Sequence, residues 1–300
     1  MVHLERELAT AIEAVRHDRL SGAAEVAGQA VAILARSFQL RQVDEAALAL
    51  CRAQPSMAPV WNAAIHAVAA NGNAEAFAAY ADRVRRAPAS VTRFATALFA
   101  DSGVRPLQIL TLSASGSVVR VIETLAQTRP VSVTCSESRP ALEGRQLTTH
   151  LAALGIPVVH YADAALALGL EGADAVLVGA DAVGPDALIN KIGTLMIGAA
   201  AAMKGVPVYV IATRDKFAMP AVWPHLSVRE GPPEDIWDAA PSGTAVRNPY
   251  FERVPLDLIS AVISDHGVLG AALLGDVCQA MQTDRTLAAL DSLLAGDATL

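Results

Sequence analysis

Residues 173–217, ADAVLVGADAVGPDALINKIGTLMIGAAAAMKGVPVYVIATRDKF, decide the fold. Ala175–Gly179 is a short, Val-rich apolar run, the pattern of a strand buried on both faces in a parallel sheet. Gly179-Ala180-Asp181 then sets a carboxylate at the strand's end, and Gly184, Pro185 and Asp186 make a turn. The run Ile189–Met203 is apolar on nearly every side and predicts a buried helix, stopped by Gly205 and Pro207. Val208–Ala212 predicts a second buried strand. Polar residues collect where these elements end: Asp181, Asn190, Lys191 and Thr194, then Arg214, Asp215 and Lys216. In an open parallel sheet, ligands bind outside the carboxyl ends of the strands, where these residues are expected.

Working outward, Gln108–Leu112, Val131–Cys135 and Pro157–Tyr161 predict three earlier strands, alternating with helices over Val118–Gln127 and Gly144–Leu154. Leu258–Ser264 predicts a last strand, followed by a helix over Leu269–Gln279. Strict alternation means a parallel sheet with helices on both faces. Trp223–Asn248, with its Pro and Gly, reads as a long surface excursion. Residues 1–100 differ: Leu4, Leu8 and Ile12 share a helical face, as do Val26, Ala30 and Ile33. Pro55, Pro59, Asn71–Asn73 and Pro88 are expected to divide this part into about four helices. The pattern changes near Asp101–Pro106. The expected architecture is α/β: an all-helical N-terminal domain, 1–104, and a Rossmann-like parallel-sheet domain, 105–300.

Composition narrows the function. A net charge of −7 and only 4% aromatic residues argue against a nucleic-acid partner. The longest apolar stretch, Ile192–Met203, is shorter than the roughly 20 residues a membrane span needs, so no membrane association is expected. The N-terminus carries acidic residues and lacks the apolar core of a signal peptide. Cys51, Cys135 and Cys278 are odd in number and far apart, as expected of reduced cysteines in a cytoplasmic protein. No CxxC or zinc spacing is present, and neither a metal nor a cofactor is expected. The scattered histidines, among them His66, His150 and His160, give no readable Ser-His-Asp order.

Four places are candidates for chemistry. The turn Ser113-Ala114-Ser115-Gly116-Ser117 follows the first strand and opens a helix. It reads either as a phosphate cradle at a helix N-terminus or as a Ser cap on a flexible turn. Asp181 reads as a turn-capping residue or as a carboxylate over the ligand crevice. In the commonest doubly wound order the first and fourth strands are neighbours, which would set Asp181 opposite that turn. Lys191 is expected at the start of a buried helix, where it opposes the helix dipole. An anionic ligand shared with the free N–H groups would resolve the conflict, or Lys191 snorkels to solvent. Arg139, in Glu137-Ser138-Arg139-Pro140, either forks onto a phosphate or pairs with Glu137.

The stretch Gly179–Phe217 (GAD, INKIGT, GVPVYVIA, KF) resembles the superfamily of the translation initiation factor 2B regulatory subunits and the methylthioribose 1-phosphate and ribose 1,5-bisphosphate isomerases. Further places agree: Asp18-Arg19-Leu20-Ser21-Gly22-Ala23, Glu137–Pro140 with Gly144 and Leu147-Thr148, Gly155–Val158, and Arg247-Asn248-Pro249 with Phe251, Pro255 and Ile259–Asp265. The resemblance implies a helical N-terminal domain, a Rossmann-like C-terminal domain and a homodimer or higher homo-oligomer. It implies a crevice for a phosphorylated sugar or nucleoside monophosphate, with Ser21, Gly22, Ala23, Ser115, Gly116, Ser117, Arg139, Asn190, Lys191 and Lys216 as ligand residues. Asp181 matches the catalytic Asp. Ser113 stands where the isomerases carry a catalytic Cys, Ser21 where they carry Arg, and Gln146 where many members carry Arg. A hydroxyl without a neighbouring base is a poorer proton donor or acceptor at neutral pH than a thiol of pKa about 8.5. The expectation is therefore a phosphosugar-binding regulatory or orphan member. The alternative is an active isomerase using Asp181 with Ser113 or Cys135 as the second acid.

Overall fold

A computed structural model describes residues 4–18, 21–100, 105–228 and 230–296. Most of the expected domain boundary, 101–104, lies outside the described residues, as do Arg19 and Leu20 of the N-terminal motif.

Five helices come first: α1 (Arg6–His17), α2 (Ala23–Leu40), α3 (Val43–Ala53), α4 (Ala58–Ala69) and α5 (Ala74–Leu98). Pro59 sits in the first turn of α4, where its missing N–H costs nothing. Asn73 caps α5, its side chain accepting from the Ala76 N–H at 3.1 Å. Pro88 does not divide the layer, because α5 runs through it. Burial outweighs the lost hydrogen bond: Ala87 just before the proline and Val91 and Ala95 beyond it are buried. Phe77 and Tyr80 of α5 belong to the helical core, while Val91, Ala95 and Phe99 pack under the sheet.

The second part is built on β1 (Leu107–Thr111), α6 (Gly116–Ala126), β2 (Val131–Ser136), α7 (Glu143–Ala153), β3 (Val158–Tyr161), β4 (Ala175–Val178), β5 (Ala182–Val183), β6 (Ala187–Lys191), α8 (Thr194–Lys204), β7 (Val208–Ile211), β8 (Phe251–Pro255), β9 (Ala261–Ser264), β10 (Gly267–Gly270), α9 (Leu274–Ala280) and α10 (Asp284–Ala295). The main sheet runs β10-β9-β7-β4-β1-β2-β3. All its pairs are parallel except β9–β10, and the assumed adjacency of first and fourth strands is the one observed. The chain order reverses between β1 and β4, so their carboxyl ends open a crevice.

Two expected helices are corrected. Leu269–Gln279 starts as an edge strand, because Gly267 at φ +123° reverses the chain and pairs β10 back on β9; the helix begins only at Leu274. The apolar run from Ile189 is not one helix but a strand and a helix. Ala187–Lys191 forms β6, the centre of a small antiparallel sheet β5-β6-β8. Gly193 at φ +98° then turns the chain into α8. An apolar run shows burial but not which backbone delivers it. Helix α10 returns to the helical layer, where Ala289, Leu290 and Leu293 join its core. Among the described residues no helix is long and apolar enough to cross a membrane.

Candidate functional site

The crevice between β1 and β4 holds a pocket lined by residues from both parts of the chain. Its anion-seeking side is made by two helix starts. Ser21, Gly22, Ala23 and Ala24 bring in the N-terminus of α2; Ser115, Gly116 and Ser117 bring in that of α6. Neither N-cap residue makes a side-chain capping bond, and just before α2 the Ser21 N–H donates to Asp18 Oδ1 at 2.9 Å. The backbones approach closely: a Cβ on Gly22 would lie 3.7 Å from the Ala114 carbonyl oxygen, and one on Gly179 would strike Ser115 Oγ at 2.5 Å.

Facing these helix starts are four buried charged groups: Glu143, Asp181, Lys191 and Lys216. Asp181 follows β4, anchored by its own backbone. Its N–H donates to the Ile189 carbonyl at 2.8 Å, and its carbonyl accepts from the Ala58 N–H at the start of α4 at 3.0 Å. Burial pushes its carboxyl up to about 6; Lys216 and Lys191 pull it back, and Glu143 adds to the rise. Lys216 is 2% exposed, held in a turn that α4 clamps: Asn62 Nδ2 donates to the carbonyls of Asp215 at 2.7 Å and Phe217 at 2.8 Å. Burial lowers the Lys216 pKa, with Asp181 and Asp215 opposing the fall.

Lys191 neither opens a helix nor snorkels. It ends β6 fully inside the pocket, its Nζ 2.7 Å from Glu143 Oε1 and 5.1 Å from the centre of the Tyr250 ring. The dipole conflict expected from sequence does not arise. The N-terminus of α8 has its own anion, Glu252, whose Oε1 accepts from the N–H groups of Gly193 at 2.7 Å and Leu195 at 2.9 Å. Asn190 lines the pocket with its Nδ2 donating to Thr194 Oγ1 at 2.9 Å.

Ser113 sits just past β1 at φ +65°. Its hydroxyl donates to Glu143 Oε1 at 2.7 Å, and its N–H donates to Ser138 Oγ at 2.9 Å. The hydroxyl therefore has a base beside it, which the sequence reading did not find. Cys135 is not a second acid here. Its Sγ faces Thr148 Oγ1 at 3.2 Å and His160 Nδ1 at 3.7 Å, it belongs to the core under the sheet, and burial pushes its thiol up.

Of the residues named from sequence, Asp181, Ser113, Ser21, Gly22, Ala23, Ser115, Gly116, Ser117, Asn190, Lys191 and Lys216 meet in this one pocket. Arg139 does not. It is exposed, its N–H donates to Asp163 Oδ2 at 2.7 Å and its guanidinium reaches the Asp235 carbonyl at 3.3 Å. The partner of Glu137 is Arg145, at 2.8 Å. Glu143, Asn62 and Tyr250 are the residues that sequence reasoning missed. Glu143 stands just before the helix expected from Gly144, and only its place between Glu137–Pro140 and Gly144 marks it in the sequence. Among the described residues no group of three or more His, Cys, Asp or Glu is placed to hold a metal ion.

Residues 22–271 match the family described as "Initiation factor 2 subunit family". A probable bifunctional methylthioribose-1-phosphate isomerase/methylthioribulose-1-phosphate dehydratase of Nocardia farcinica is 39% identical over 56% of this chain and 34% of its own length. The ribose 1,5-bisphosphate isomerase of Archaeoglobus fulgidus is 37% identical over 46% of each chain. The chain thus spans a third to about half the length of these curated relatives. Among solved structures, the translation initiation factor eIF-2B of Pyrococcus horikoshii OT3 superposes with a TM-score of 0.76 over 89% of this chain and 98% of its own, at 21% identity. The 5-methylthioribose 1-phosphate isomerase of the same organism gives 0.66 over 97% and 88%, at 19% identity. At these identities the two structures show a shared fold.

Proposed function

Since the chain belongs to the initiation factor 2 subunit family, we propose that its crevice binds a phosphorylated sugar or a nucleoside monophosphate, as a regulatory or orphan member of that family. One observation carries the reading: two uncapped helix N-termini and the buried Lys216 converge on a single pocket that also holds the buried Asp181. The phosphate sits on the first N–H groups of α2 and α6 beside Lys216, where dipoles and charge act together. Asp181 and Asn190 take sugar hydroxyls. Lys191, engaged by Glu143, is a hydroxyl donor rather than the main phosphate anchor. Supporting the expected homo-oligomer, Leu195, Met196 and Met203 leave apolar surface on α8 exposed. The buried, unpaired thiols fit a reducing cytoplasm. Thermal-shift titration with ribose phosphates and AMP tests the reading. Stabilisation by at least one is expected, and a well-folded sample indifferent to all of them overturns it.

A specific observation favours a second reading, aldose–ketose isomerisation. The reaction moves a hydrogen between C1 and C2 of the sugar and needs a group that exchanges protons near neutrality. Asp181, raised to about 6, is such a group. Ser113, with Glu143 accepting its proton, supplies an activated hydroxyl where the curated isomerases' family carries a thiol. Turnover of an aldose 1-phosphate that vanishes in Asp181→Asn supports this reading, and no turnover across a panel of such phosphates rejects it.

A further inference from the structure

Glu143 carries more than its hydrogen bond to Ser113. It is 7% exposed, and its Oε1 is shared by Ser113 Oγ and Lys191 Nζ, each at 2.7 Å. Its other oxygen, Oε2, is buried without a protein partner, although the residue lines the pocket. The position is rigid. A Cβ on the next residue, Gly144, would lie 1.8 Å from the Ser136 carbonyl oxygen, so the start of α7 is pressed against the end of β2.

The charges of the lining then bear on which ligand fits. Among the described residues the lining has two cations, Lys191 and Lys216, two carboxylates, Glu143 and Asp181, and no arginine. Glu143 already neutralises Lys191, which leaves Lys216, itself beside Asp181, and the two helix starts to meet an anion. That complement suits one phosphate. A second phosphate on the same sugar would be repelled by the Glu143 carboxylate or compete with it for Lys191. The latter would strand a buried carboxylate without its cation, which is strongly unfavourable. A sugar hydroxyl, by contrast, carries no charge and leaves the Glu143–Lys191 pair intact.

We propose that Glu143 is a specificity-determining residue: its charge holds Lys191 and repels a second phosphate, so that the pocket accepts a sugar monophosphate and rejects a bisphosphate. The selection works by repulsion as much as by attraction. It rests on the phosphosugar reading of the pocket.

The test is calorimetric titration of the full chain at pH 8 with ribose 1-phosphate, ribose 5-phosphate and ribose 1,5-bisphosphate. The wild type binds one monophosphate at least about tenfold more tightly than the bisphosphate, a tenfold ratio being about 1.4 kcal/mol. Glu143→Gln keeps the shape, removes the charge and lowers that ratio by about tenfold or more. Glu143→Asp keeps the charge and most of the ratio. Tighter binding of the bisphosphate by the wild type overturns the proposal, as does an unchanged ratio in Glu143→Gln. The wild-type ratio alone decides if Glu143→Gln does not fold. Absence of binding of all three sugars to the wild type overturns the pocket reading itself, and this inference with it, whereas wild-type binding without a charge-dependent ratio overturns only the inference.

Discussion

Three of the helices that start in this region of the molecule differ in what meets their first N–H groups. Helices α2 and α6 start at the pocket with no side-chain cap, beside the buried Lys216. Helix α8 starts a few residues past Lys191, and its N–H groups are taken by Glu252 reaching from β8. The local physics is the same in all three: unsatisfied donors and a positive dipole end. What differs is the neighbour. Where the fold brings a carboxylate of its own, the helix start is finished structure. Where it brings glycines, small hydroxyls and a lysine, the helix start lines the pocket proposed for the ligand.

This comparison can be broken. The largest effect is expected from Asp181, the acid of the open side. Its folded-state pKa of about 6 lies above the ordinary 3.8, so the folded protein holds its proton more tightly than the unfolded chain does. Stability from this group is full below about pH 4 and is lost as the pH rises through 6. A rise of roughly two units corresponds to about 3 kcal/mol. Asp181→Asn is therefore expected to be more stable than wild type at pH 8 by up to about 3 kcal/mol, with the gap closing near pH 4, as read from denaturant melts at the two pH values. A gap of equal size at both would show that the carboxyl is not raised by burial.

Lys216→Met probes the free cation of the open side. Removing a charge-assisted contact to phosphate should weaken binding of the phosphosugar that wild type accepts by about 100-fold, close to 2.7 kcal/mol. Affinity within threefold of wild type would remove Lys216 as the anchor. Glu252→Ala probes the closed side and should do the reverse. Loss of this capping carboxylate costs about 1–2 kcal/mol of stability, and affinity stays near the wild-type value. A binding loss without a stability loss would mean that the start of α8 belongs to the site, and the contrast drawn above would fail. The smallest effect is expected from Gly179→Ala. Its Cβ would lie 2.5 Å from Ser115 Oγ, so the α6 turn must shift, and affinity should fall by about tenfold with about 1 kcal/mol of destabilisation.

Much of the fold was legible in the chain. The Val-rich runs are strands because they bury both faces, and Gly205 and Pro207 do separate α8 from β7. Misreadings occurred where a local signal had two physical meanings. The run from Ile189 is apolar all round, which suits a central strand as well as a buried helix; Gly193 at positive φ divided it, a signal present in the sequence but outvoted by the apolar run. Pro88 is a helix breaker by propensity, yet α5 crosses it because its two halves are buried in two different cores. In the site, the residues at strand ends were found because that position follows from the topology. Glu143 and Asn62 were not, since each acts across a fold contact 30 or more residues away in sequence: Ser113 for Glu143, and the Asp215–Phe217 turn for Asn62.

The sequence by itself determined that strands alternate with helices, that a helical layer precedes them, and that Asp181, Lys191, Lys216 and the Ser113–Ser117 turn fall where elements end, on the carboxyl side of the sheet. Those facts follow from periodicity and from where polar residues interrupt apolar runs, both local properties of the chain. Only the tertiary structure decided the charge state and partners of the site. It buried Asp181 deeply enough to raise it to about 6, tied Lys191 to Glu143, left Lys216 facing the pocket, and closed α8 with Glu252 while leaving α2 and α6 open. Desolvation and ion pairing depend on which distant segments surround a group, and no local pattern of residues records that.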